Sequence, residues 1–83
     1  MKAIIDNKLY DTDKAEMTYE YTEAESCAAN IKIYKTSKDN YFQEISVFAS
    51  NTLNTLSVDQ VKEVLSKRAP DKYIELFGEV EEA

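Results

Sequence analysis

The sequence predicts an α+β fold. A small antiparallel sheet of three to four strands is packed on one face by a C-terminal helix over about 57–68 and a second short helix over about 70–77. Three observations predict it. The stretch SVDQVKEVLSKRA from Ser57 carries the helix period together with a start and a stop signal. Glu16–Thr22 and Asn30–Thr36 alternate with the period of two that marks half-buried strands. A polar turn at Ser37–Asn40 links the second of these to another extended run, which is the pattern of a hairpin. With 83 residues, one Gly and one Pro, the chain reads as a single domain over 1–83, without a flexible linker.

The elements follow in order. Residues 2–5 and 8–10 read as a small hairpin, because Asp6-Asn7 tolerates turn geometry. Asp11 or Asp13 is placed to cap one helical turn through Lys14-Ala15. In Glu16–Thr22 the alternation sets Met17, Tyr19 and Tyr21 on one side and Glu16, Thr18, Glu20 and Thr22 on the other. Glu23–Asn30 fits either a helical turn or a loop. In Asn30–Thr36, Ile31, Ile33 and Lys35 oppose Lys32 and Tyr34. Over Tyr41–Ala49, Tyr41, Ile45 and Val47 share one face, while Phe42 and Phe48 fall on the other. Those two either pack under the N-terminal segment or belong to an interface. Ser50–Thr55 reads as a polar loop anchored by Leu53.

The first helix is specified locally at both ends. Ser57 and Gln60 form a capping box, and Leu56 with Val61 a hydrophobic staple. Val58, Val61, Val64 and Leu65 make the apolar stripe, and Lys67 and Arg68 sit in the last turn, where cations favour the helix dipole. Pro70 stops this helix and starts the next, which carries Tyr73, Ile74 and Phe77 on one side and ends at Gly78. Glu79–Ala83 is an acidic tail.

Three stretches, IIDNKLYDTDKA from Ile4, YKTSKDNYF from Tyr34 and LSVDQVKEVL…KYIELFGEVEE from Leu56, resemble small proteins of Firmicutes, their phages and their integrative mobile elements. The shared patterns are an I-I-x-x-K-x-Y-D-T-x-x-A start, a Y-x-T-x-x-G-x-[YF]-F hairpin and a K-Y-x-x-[IL]-F-G-E-V-E-E ending. Asp39 departs from the second, where Gly is frequent, and Glu23–Asn30 lies outside all three. The resemblance implies a mobile-element context, in which small acidic inhibitors of host defence occur. It assigns a role to no residue.

Composition narrows the chemistry. There is no His, so Ser–His–Asp and Cys–His catalysis are excluded along with the usual zinc sets. One Gly cannot build a phosphate-cradling loop. Cys27 is the sole cysteine, so no intramolecular disulfide exists; it reads as an unreactive thiol in a reducing compartment, with Glu23 and Glu25 disfavouring a thiolate. No catalytic residue, cofactor site or metal site is expected. Neither a secretory segment nor an apolar membrane-spanning run is visible, so the expected location is the cytoplasm.

The net charge is −6. That sign disfavours direct contact with nucleic acid or lipid head groups and points to a basic host protein as partner, nucleic-acid-binding proteins among the candidates. The acids concentrate in Asp11, Asp13, Glu16, Glu20, Glu23 and Glu25, against which only Lys14 stands. A row of carboxylates on one strand face, Glu16 and Glu20 in particular, imitates a phosphate backbone; the plainer alternative is a solvated face that keeps an edge strand from pairing. Among six tyrosines, Tyr19, Tyr21 and Tyr41 read as core, and Tyr10 and Tyr34 as interface candidates. The candidate partner-binding set is therefore Asp11, Asp13, Glu16, Glu20, Glu23, Glu25, Tyr34, Phe42 and Phe48. The leading expectation is a non-enzymatic inhibitor of a host defence protein, of anti-CRISPR or anti-restriction type. The alternative is a small homo-oligomerising module that dimerises through Phe42 and Phe48.

Overall fold

Alternating strands need apolar cover, and in the computed structural model of the protein the central sheet receives it on both faces. Residues 1–23 and 28–83 are described. The elements are β1 (Lys2–Ile5), β2 (Lys8–Asp11), β3 (Glu16–Glu23), β4 (Ala29–Lys35), β5 (Tyr41–Val47), β6 (Ser50–Leu56), α1 (Val58–Arg68) and α2 (Pro70–Phe77). β1 and β2 form a two-stranded sheet of their own; β3-β4-β5-β6 is an antiparallel meander. The α+β fold stands, with a fourth strand and an additional cover.

The β1–β2 turn has both central residues, Asp6 and Asn7, at positive φ (52° and 63°). This is the type I′ pattern that matches hairpin twist, and Asp and Asn bear the left-handed region better than other side chains. In the β4–β5 turn Asp39 also has positive φ, 63°, in the left-handed region that Gly adopts freely and Asp tolerates better than most side chains. Asp39 is held by its N–H donating to the Thr36 carbonyl (3.0 Å) and by an ion pair with Lys35 (3.2 Å).

Ser50–Leu56 is not a loop. It is a strand paired with β5 from Val47↔Ser50 to Tyr41↔Leu56 without interruption. Its Asn and Thr residues score as loop formers, but the tight Phe48-Ala49 turn and the β5 backbone recruit them into the ladder. Leu53 is buried, as its anchoring role requires.

The helix-side core is Ile33, Tyr41, Val61 and Leu65, with Tyr19, Tyr21, Leu56, Val64, Tyr73, Leu76 and Phe77 packed around them. Both capping-box bonds of α1 form: the Gln60 N–H donates to Ser57 Oγ (3.1 Å) and the Ser57 N–H donates to Gln60 Oε1 (2.8 Å). The stripe is shorter than the period implies, since Val58 is exposed. Ile74 is also exposed, and Leu76 takes its place beside Tyr73 and Phe77. Arg68 lies over the Tyr21 ring (4.2 Å) and Lys62 over the Phe77 ring (5.3 Å), so two cations close the rim of this core.

The opposite face is covered by the β1–β2 hairpin. Tyr10, Tyr34, Phe42 and Leu53 are buried there, with Ala3, Ile5 and Ala15 against them. Phe42 is fully buried, edge-on to Tyr10 (5.3 Å) and stacked on Tyr34 (5.1 Å). Tyr10, Tyr34 and Phe42 are thus core residues rather than interface aromatics. Of the two positions weighed for Phe42, the one under the N-terminal segment holds.

Candidate interaction surface

A β-bulge in β3 decides where the acids go. The pairing with β4 runs Glu16↔Lys35 and Met17↔Tyr34, then shifts so that Tyr19 opposes Ile33 and Tyr21 opposes Ile31. Thr18 occupies the extra position, buried, with its hydroxyl donating to the Ile33 carbonyl (3.1 Å). A shifted register reverses every side chain on one side of it. Tyr19 and Tyr21 therefore face the helices, whereas Met17 falls on the hairpin side with Tyr34. Glu16 and Glu20 lie on opposite faces, so the expected continuous row of carboxylates does not form.

The remaining candidates separate as well. Asp11 is buried and structural: its Oδ1 accepts from the Asp13 N–H (2.9 Å), and its carbonyl accepts from the Lys14 and Ala15 N–H groups (3.2 and 3.1 Å). It caps the single turn that the sequence anticipates. Asp13, Glu16 and Glu23 are exposed. Glu20 is exposed and accepts from Asn30 Nδ2 (2.8 Å). Phe48 stands 92% exposed at the tip of the β5–β6 turn, with φ of 53°. Tyr34 and Phe42 are 8% and 0% exposed, too little to meet a partner. Glu25 and Cys27 lie outside the described residues, as does the core of the ambiguous Glu23–Asn30 stretch.

The tertiary structure assembles a different acidic group on the hairpin side of the sheet. Register places Glu20, Lys32 and Glu44 side by side on β3, β4 and β5. The Tyr34 phenol is held above its ordinary pKa, first by burial, then by the carboxylates of Glu44, Glu20 and Asp13. Glu44 was missed in the sequence because it sits between Gln43 and Ile45, outside the acidic run. The alternation of β5 puts it on the Phe42 face, but only the cross-strand register brings it to Glu20.

A second polar feature lies at the turn end of the same side. An open groove of about 600 Å³ runs between the β1–β2 and β4–β5 turns, lined by Asn7, Lys8, Tyr10, Thr36, Lys38 and Asn40 among others. Among the described residues, no group of three or more acids and Cys is arranged to hold a metal ion. No helix among them is long and apolar enough to cross a membrane. Comparison of the chain with protein-family models, with curated proteins and with solved structures finds no match.

Proposed function

We propose that the protein is a non-enzymatic binding protein that acts in the cytoplasm by laying an acidic sheet face on a basic surface of a host protein. Its resemblance to mobile-element proteins makes an inhibitor of host defence, of anti-CRISPR or anti-restriction type, the leading form of this reading. The observation that carries it is the cross-strand placement of Glu20 and Glu44 on either side of Lys32, on the hairpin side of the sheet. The strands set Glu20, Lys32 and Glu44 at inter-strand spacing, about 4.8 Å per step. Charge arranged in this way steers association and sets its salt dependence.

The test is capture from host lysate on immobilised protein, with a salt series and an E20K/E44K variant. A basic, nucleic-acid-binding partner is expected, its retention falling as salt rises and lost on charge reversal. Equal retention by the variant sinks the acidic-face reading. The alternative, a self-associating module with no inhibitory role, loses Phe42 as a contact residue but keeps Phe48, a large apolar side chain left in solvent.

A further inference from the structure

The two edges of the central sheet are built differently. The β3 edge carries Glu16, Glu20 and Glu23 and is interrupted by the bulge at Met17/Tyr19. Charges and bulges are the devices by which natural sheets keep an edge from pairing with another strand. The β6 edge has neither. Its sequence, SNTLNTL, holds no charge and no Pro, and its register with β5 is regular over all 7 residues. In an antiparallel ladder, alternate N–H and C=O groups of an edge strand point away from its neighbour. Among the described residues, β6 has β5 as its sole ladder partner, and none of its backbone groups enters a turn or loop hydrogen bond. Ser50, Asn51, Thr52, Asn54 and Thr55 are exposed, so the strand is open to approach.

We propose that β6 pairs antiparallel with β6 of a second copy of this chain across a twofold axis at Leu53, joining two four-stranded sheets into one of eight. The strand's own order argues for that occupant. Reflection about Leu53 sets Asn51 against Thr55 and Thr52 against Asn54, and sets Leu53 against itself. The two rungs on each side of the axis then join an amide to a hydroxyl, groups that donate and accept reciprocally, and the outermost rung sets Ser50 against Leu56. Thr52 and Asn54 share the helix side, while Asn51, Leu53 and Thr55 share the hairpin side, so each rung stays on one face. A chain of net charge −6 resists association with itself, and a twofold contact is tolerated best where the strand is neutral. β6 is the neutral edge. β1 belongs to a separate sheet and forms no ladder with β6, although the two strands lie close to each other. This pairing is independent of the acidic face proposed above.

The experiment is sedimentation velocity over a concentration series, with circular dichroism on every variant. The wild type is expected to pass from monomer to dimer as concentration rises. T52K/N54K puts like charges on both rungs flanking the axis and is expected to leave a folded monomer. T52K/N54E puts opposite charges on those same rungs and is expected to restore the dimer. A wild type that stays monomeric throughout overturns the proposal. So does a dimer that survives T52K/N54K, or one that T52K/N54E fails to regain. Should a variant not fold, amide hydrogen exchange on the wild type decides instead: protection of alternate β6 residues must increase with concentration, and unchanged exchange overturns the pairing.

Discussion

The two faces of the central sheet are covered by lids of opposite character. On one side lie two helices, with a capping box, a hydrophobic staple and a Pro stop written into adjacent residues. On the other lies a hairpin of two four-residue strands, of a size that is marginal alone in water. The helix lid has local reasons to form before it packs. The hairpin lid depends on what it covers, and it covers the three-ring contact of Tyr10, Phe42 and Tyr34. A short element with little local preference is thus held by a large apolar anchor from a distant strand.

The comparison breaks most readily at Phe42. Phe42→Ala is expected to cost about 3–5 kcal/mol, enough to unfold most of a domain with a stability on the order of 5 kcal/mol, as read by urea denaturation. Leu65→Ala, on the helix side, is expected to cost less, about 2–4 kcal/mol, because two capped helices can settle towards the gap. The reverse order in matched denaturation curves would show that the helix side carries the fold. Ser57→Ala is expected to cost about 1 kcal/mol. Hydrogen exchange should place that loss in α1 and leave β1 and β2 unchanged.

Phe48 provides the contrast to Phe42 on the same strand hairpin. Its positive φ is costly for a bulky residue, and its side chain is in solvent. Phe48→Gly is therefore expected to leave stability unchanged or raise it by up to about 1 kcal/mol, measured in the same urea series.

A smaller, pH-dependent effect reads both faces at once. Tyr34 on the hairpin side is raised in pKa by burial and by Glu44, and Tyr21 on the helix side by burial and by Glu23. The folded chain thus keeps these protons where the unfolded chain, with pKa about 10, releases them. Stability is indifferent to these groups below that pH and falls as pH rises through and beyond it. Tyr34→Phe should make the alkaline decline shallower, and an unaltered decline would remove Tyr34 as a contributor.

Legibility differed from residue to residue. The hairpin turn at Asp6-Asn7, the turn after Asp11 and the Ser57 cap were visible because each is settled within a few residues, while the positive φ values that make the first a type I′ turn come from the structure. Glu16 and Glu20 were placed together because strict alternation has no means of announcing a bulge; Thr18 resembles any other strand threonine until its hydroxyl meets the Ile33 carbonyl. Phe42 and Phe48 share a parity in the sequence, but β5 ends at Val47 and Phe48 is already in the turn, and parity ends where the strand does.

By itself the sequence determined the two helices and their boundaries, five of the strands, the absence of histidine and the acidic charge, all of which depend on residue identity and short-range spacing. Only the tertiary structure decided which face each strand residue serves and that β6 is a strand. It alone joined Glu20 and Glu44 across Lys32 and made one sheet edge bulged and charged and the other regular and neutral. The reason is physical: side-chain facing and cross-strand neighbours are set by register, and register is a property of two strands together.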